Sequence, residues 1–141
     1  MGIAKLTFAA FALIAAALPE QAQQVTVAAS AAKPAIKRIL EADNLDVEAL
    51  PAREVAERMG DIRQGAAPAE FWTAYRAHVR AWQDYAHAKE LVRNADPLTG
   101  PSLDDAGEIV AARSRINRTF DDVEAIAKRY DAWPPRTQTR L

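Results

Sequence analysis

The sequence predicts an all-α protein, a three-to-four-helix bundle built on a long antiparallel helical hairpin and preceded by a signal peptide. Three observations predict this fold. Apolar residues recur at helical spacing in four segments, Pro and turn-forming residues separate those segments, and no segment shows the alternation typical of a strand. A length of 141 residues suits one domain and is too short for two independent ones.

Composition limits both the core and the chemistry. Half of the chain is apolar, but 32 of the 141 residues are Ala, which buries little area per residue. With 18 Lys and Arg against 19 Asp and Glu, the chain lacks the basicity of a nucleic-acid-binding protein. The absence of Cys excludes disulfides, thiol catalysis and thiolate metal sites. We therefore expect no nucleic-acid partner and no cofactor.

Residues 1–22 have the pattern of a secretory signal peptide. Lys5 precedes thirteen uncharged residues, Leu6 to Leu18, and Pro19 ends that run. A bilayer span needs about 20 apolar residues, so no stable membrane span is expected after cleavage. Ala17 and Ala22 are both candidate cleavage points, and an uncleaved N-terminal anchor is the alternative. The predicted location is the bacterial periplasm or the medium.

The mature chain is predicted to begin with a disordered leader over 23–33 and to form its helical bundle domain over 34–132. Pro34 suits the first turn of a short helix that ends near Asp43. Leu45, Val47 and Leu50 would tuck against the core from the linker. Pro51 opens a second helix to about residue 63, a weaker cover whose apolar stripe contains Val55, Met59 and Ile62.

The third helix, over about 69–94, carries most of the large apolar residues. One arc holds an aromatic and apolar set, and the neighbouring arc holds small residues: Phe71, Trp72, Tyr75, Val79, Trp82 and Ala86 on the first, Ala74, Ala77, Ala81 and Ala88 on the second. An aromatic face beside an Ala face indicates two packing neighbours, one of them close. If nothing in the chain covers the Ala face, self-association is expected.

The fourth helix, over about 103–131, follows a turn at 95–101 and has Ser102 as its N-cap. A stripe of residues spaced by sevens, Ile109, Ile116, Val123 and Tyr130, predicts antiparallel pairing with the third helix. Trp133 and the prolines after it would stop the helix, leaving 133–141 as a mobile tail.

Two His residues are the only imidazoles. His78 and His87 are nine residues apart and lie on opposite sides of one helix, so they cannot bind one metal ion together. The candidate ligand or partner contacts are instead the residues of the aromatic face and the histidine beside it: Trp72, Tyr75, His78, Trp82 and Tyr85. Core packing is the competing interpretation. If one of these rings is not needed in the core, Trp72 and Tyr85 are the candidates, because they lie at the two edges of the arc.

Three segments together resemble small uncharacterised exported bacterial helical proteins. The resemblance covers about residues 51–132 and rests on the segment Pro51–Met59, on a motif in the third helix and on one in the fourth: Phe71, Ala74, Tyr75, His78, Val79, Ala81 and Trp82, then Ile116, Asn117, Thr119, Phe120, Val123, Glu124, Ile126, Ala127 and Tyr130. The resemblance implies no activity, cofactor or catalytic residue. It implies that Tyr75, His78 and Trp82 form one signature, as a core motif or as a site.

No arrangement of residues predicts an enzyme, because neither a nucleophile with its base nor a metal-binding set is present in the sequence. We expect a non-enzymatic periplasmic binding or accessory module with an unknown protein or small-molecule partner. The alternatives are a small-ligand or cofactor-binding bundle that uses Tyr75, His78 and Trp82, and a structural bundle that self-associates.

Overall fold

The computed structural model describes residues 20–133, and within that range the chain is all-α, as predicted. It forms four helices and no strand: α1 (Glu20–Ala42), α2 (Ala52–Gly60), α3 (Ala69–Arg93) and α4 (Leu103–Arg129). Residues 1–19 of the predicted signal peptide and residues 134–141 of the predicted tail lie outside the described residues. No helix within 20–133 has the length and apolar character needed to cross a membrane.

The start of α1 corrects the predicted disordered leader. Residues 23–33 belong to α1, and Pro34 lies inside this helix and not in its first turn. Ala is the best helix former and is frequent just before Pro34. In addition, Ala32 is buried and the Lys33 ammonium group forms an ion pair with Asp131. These contacts with the bundle are tertiary, so the polar composition of the segment does not reveal them.

The linker and α2 close over α3. Leu45, Val47 and Leu50 are partly buried against the core, as predicted. Helix α2 ends at Gly60, about three residues earlier than predicted, and buries Val55 and Met59 completely. The chain then turns through Gly65, whose φ of 56° is a left-handed conformation that favours Gly.

Helices α3 and α4 run in opposite directions along each other. At one end, Glu70 of α3 accepts hydrogen bonds from Arg129, at 2.6 Å, and from the hydroxyl of Tyr130, at 2.8 Å. Farther along, Asp84 of α3 pairs with Arg115 of α4 at 3.6 Å. Small side chains are buried on both helices, Ala81 and Ala88 on α3 and Ala112 and Ala127 on α4, which lets the two backbones approach closely.

Helix α4 has well-formed ends. The Ser102 hydroxyl accepts from the Asp105 amide at 3.0 Å, and the Asp105 carboxylate accepts in return from the Ser102 amide. At the other end Asp131 has a φ of 51°, and the Ala132 amide donates back to the carbonyl of Ala127 at 2.9 Å. These bonds satisfy groups that every helix end leaves unpaired.

Trp133 corrects the start of the predicted mobile tail. Its ring is partly buried against the core and meets Phe120 edge to face, with 5.6 Å between the ring centroids. An aromatic pair of this geometry is favourable beyond the area that it buries. Trp133 therefore belongs to the bundle.

Candidate functional site

Three of the five predicted contact residues are inside the core. Tyr75 and His78 are fully buried, and 1% of Trp82 is exposed. They lie at successive turns of α3, His78 three positions after Tyr75 and Trp82 four positions after His78. Tyr75 contacts α2 through Met59, and His78 contacts α4 through Thr119. Trp72 and Tyr85 are partly exposed at the edges of the same arc.

Tyr75 joins three segments of the bundle through its hydroxyl group. The hydroxyl lies 3.2 Å from Oδ1 of Asp43, at the end of α1, and 3.4 Å from the carbonyl oxygen of Met59, near the end of α2. Asp43 itself is buried. Burial and the Asp43 carboxylate raise the pKa of Tyr75 far above its ordinary value. This hydroxyl is a neutral donor that holds α1 and α2 to α3.

His78 is neutral and is oriented by α4. Its Nδ1 lies 2.9 Å from Oγ1 of Thr119, whose own hydroxyl donates to the Arg115 carbonyl at 2.8 Å. The network therefore assigns the proton to Nδ1. Nε2 is buried without a hydrogen-bond partner, as is Nε1 of Trp82 one turn away. Burial lowers the pKa of His78 from 6.5 to about 4, although the Ile116 carbonyl favours the charged form.

A second candidate site is a groove at the C-terminal end of α3. A groove of about 480 Å³ opens between the start of α2, the last two turns of α3 and the first turns of α4. We call it the distal groove, and its lining combines small and aliphatic side chains with charged ones: Pro51, Ala52, Arg53, Ala86, Lys89, Glu90, Val92, Arg93 and Ile109. Its volume is in the range of pockets that bind small molecules.

The rim of the distal groove is basic. Arg53 is shared between Glu57, at 2.9 Å, and Glu90, at 3.6 Å, and these carboxylates raise its pKa. Lys89 lies over the Tyr85 ring, with 5.7 Å from its Nζ to the ring centroid. Among the described residues, neither Lys89 nor Arg93 forms an ion pair. An apolar floor with two unneutralised cations suits an apolar group that carries negative charge.

The distal groove was not predictable as a site from the sequence, because its residues come from three helices and include no aromatic ring. Of the predicted contact residues, Tyr85 contacts the groove lining through Lys89. The sequence does contain a signal for exposed apolar surface at this end of the bundle. Leu103 and Val110 are apolar, are seven positions apart on α4 and lie off the Ile109–Ile116 stripe.

A second depression of about 350 Å³ follows the seam of α3 and α4 on the opposite side. Its charged residues, Arg80, Asp84, Arg115, Arg118 and Asp122, carry both signs, and Asp84 is already paired with Arg115. Ala77 and Ala81 form part of its floor, beside α4. Ala81 and Ala88 of the Ala face are buried within the chain, whereas Ala74 and Ala77 are partly exposed.

Among the side chains that the structure describes, those of 30–133, no three His, Asp or Glu lie close enough together to hold a metal ion. The ionisable groups of the distal groove are cations and one paired carboxylate, so the arrangement can bind and orient but offers no nucleophile with its base. No family model, curated protein or solved structure matches this sequence.

Proposed function

We propose that this chain is a non-enzymatic binding module and that the distal groove is its binding surface. One observation carries the proposal. The large apolar side chains that are exposed in the described residues, Leu91, Leu98, Leu103 and Val110, all lie at the end of the bundle where the groove opens. Apolar side chains exposed together beside a concave surface are typical of interaction sites.

The α3–α4 hairpin is the scaffold in this proposal, and α1 and α2 cover one side of it. The cover is short at the distal end, where α2 begins and the groove remains open. The buried aromatic residues of α3 then serve stability, which leaves the alternative ligand site at Tyr75, His78 and Trp82 without an exposed surface.

Export is the second part of the proposal. It rests on the pattern of residues 1–22 and on the resemblance to small exported bacterial helical proteins. Sequencing the N-terminus of protein recovered from the periplasm tests it. Cleavage after Ala17 or Ala22 is the expected result, and a full-length chain retained in the membrane fraction would contradict it.

The groove itself can be tested with anilinonaphthalene sulfonate, an apolar anion that fluoresces when it leaves water. We expect saturable binding at low protein concentration. Ala52→Trp places an indole in the groove lining, at a partly exposed position in the first turn of α2. It should abolish most of the fluorescence gain. Ala125→Trp adds the same ring at an exposed position near the other end of α4 and should leave the gain unchanged.

Circular dichroism and thermal unfolding of both variants would establish that they are folded. A dye that binds the Ala52→Trp variant as well as it binds the parent chain would show that the distal groove is not the binding surface. Equal losses in the two Trp variants would lead to the same conclusion.

A further inference from the structure

Two basic side chains of the distal groove lie next to each other without an acidic partner. Lys89 and Arg93 are four positions apart on α3, so they project from the same side of the helix. Both are exposed, and neither forms an ion pair with any residue that the structure describes. Like charges at this spacing repel each other, and an anion bound between them would remove that repulsion.

The acidic groups around these two cations are already engaged. Glu90 lines the groove, but its carboxylate lies 3.6 Å from Arg53, which also pairs with Glu57 at 2.9 Å. On α4, Glu108 precedes Ile109 of the lining and pairs with Arg115 at 3.5 Å. The lining therefore holds three cations against one carboxylate, and it stays positive when Glu57 is counted as well.

The rest of the lining is aliphatic. Its aliphatic members come from all three helices and the residue before α2: Pro51, Ala52, Ala86, Val92 and Ile109. The methylene stems of Lys89 and Arg93 can extend this floor while their charged ends stay in water. The lining that the structure describes contains no aromatic ring, hydroxyl or carboxamide. Nucleobases and aromatic ligands gain affinity by stacking on rings, so a saturated chain suits this surface better.

A smaller, more polar depression limits the groove on one side. It has a volume of about 230 Å³ and shares Arg53, Ala86 and Glu90 with the distal groove. Its other lining residues are mostly polar: Ala56, Glu57, Gln83 and His87. The ion pair of Arg53 and Glu90 therefore lies where the two depressions meet, and the apolar floor ends there. This boundary favours a chain of medium length over a long one.

We infer that the distal groove binds a free alkyl carboxylate of medium chain length, the anion of a fatty acid. Its carboxylate accepts charge-assisted hydrogen bonds from the Lys89 ammonium and the Arg93 guanidinium. Its chain lies on the aliphatic floor. Because both cations are exposed, the head group stays in contact with water while the chain leaves it. The inference rests on the proposed function and names the ligand class of the groove.

Three amphiphiles that share one chain and differ in head-group charge test this ligand class: decanoate, decanol and decyltrimethylammonium. Calorimetric titration of the purified chain, at concentrations too low for micelles, measures their affinities. Decanoate should bind at least about tenfold more tightly than decyltrimethylammonium, with decanol between them, because only the carboxylate is attracted to the two cations. Added salt should narrow this difference.

Lys89→Gln with Arg93→Gln should reduce the preference for decanoate to less than about threefold, because the carboxylate then loses both charged partners. The matched control is Lys37→Gln with Arg63→Gln, which removes the same charge from exposed residues outside the groove lining and should keep the preference. Ala52→Trp should weaken the binding of all three amphiphiles. Circular dichroism shows that each variant is folded.

Decanoate that does not bind, or that binds no more tightly than decyltrimethylammonium, would overturn the inference. A preference that survives Lys89→Gln with Arg93→Gln, or that disappears in the control, would do the same. These outcomes differ from a failure of the proposed function. A groove that binds the dye, loses it in Ala52→Trp and shows no preference for decanoate remains a binding surface for another class of ligand.

A protein could present the same chemistry through its own C-terminal carboxylate. A short acetylated peptide with a leucine at its C-terminus distinguishes this source from a free fatty acid. It should bind more weakly than decanoate, because its backbone amides would lose water on an aliphatic floor without neutral hydrogen-bonding side chains. A peptide that binds more tightly than decanoate would overturn the inference in favour of a protein partner.

Discussion

Nδ1 of His78 lies 2.9 Å from Oγ1 of Thr119, which joins the middle of α3 to the middle of α4 inside the bundle. The contact fixes the orientation of a ring that is fully buried and packs against Phe120, with 5.7 Å between the ring centroids. Its chemical consequence is that the folded chain holds this imidazole in the neutral form.

Stability should therefore fall in mild acid. The folded-state pKa of His78 is about 4, below the 6.5 of an exposed imidazole, so the unfolded chain takes up the proton first. The contribution is complete above pH 6.5 and disappears as the pH falls towards 4, a loss of about 3 kcal/mol. Urea unfolding at pH 7, 5.5 and 4.5 measures it.

The His78→Gln variant should lose less stability across this pH range, whatever its stability at pH 7. His87→Gln is the matched control, because His87 is exposed on the same helix. An equal pH dependence in the parent chain and in His78→Gln would show that other groups cause the loss.

Trp82→Ala should destabilise the bundle by roughly 3–5 kcal/mol, because the ring is almost completely buried and its removal leaves a cavity. Trp72→Ala removes the same side chain at a partly exposed position, where Arg76 lies over the ring, and should cost much less. Chemical denaturation of both variants gives the comparison. Similar losses would contradict the assignment of Trp82 to the core.

Tyr75→Phe should cost about 1–3 kcal/mol, although it keeps the ring. The variant removes the hydroxyl that lies 3.2 Å from the buried Asp43 carboxylate, which then loses a donor that water cannot readily replace. Tyr85→Phe is the control, since Tyr85 is partly exposed and water can reach its hydroxyl. Thermal unfolding that places both variants at the same midpoint would argue against a holding role for the Tyr75 hydroxyl.

Asp131 occupies a left-handed conformation after α4, with a φ of 51°. Asp131→Gly removes the Cβ that disfavours this conformation and should leave the stability unchanged or raise it by up to about 1 kcal/mol. Asp131→Val should lower stability by about 1–2 kcal/mol. Both variants lose the ion pair with Lys33, so the difference between them, measured by urea unfolding, reports the backbone alone. Equal stabilities would contradict the conformational argument.

The helix periodicity and the turn residues were sufficient to predict α3 to within one residue at its C-terminal end, because Pro68 and the 95–101 turn bound it. The buried face of α4 also followed from the spacing of Ile116 and Val123. Local signals of this kind depend only on neighbours along the chain.

The start of α1 and the distal groove were not predictable in the same way. Lys33 meets Asp131 across 98 positions of sequence, and the groove exists because the beginning of α2 rests beside Ala86 and Ile109. Both features depend on how helices are placed in space. The aromatic residues Tyr75 and Trp82, which the sequence suggested as ligand or partner contacts, are instead buried and hold those helices together.

The distal end of the bundle is also the end with the least internal packing. No residue from 89 to 111 is buried, whereas α3 and α4 bury Phe71, Tyr75, Val123 and Ala127 near the opposite end. Local opening is easiest where few apolar contacts hold the chain, so amide hydrogens over 89–111 should exchange with solvent faster than those nearer the opposite end. A molecule bound in the distal groove would slow exchange in that segment and leave the opposite end of the bundle unchanged, so hydrogen exchange at the distal end reports whether the groove is occupied.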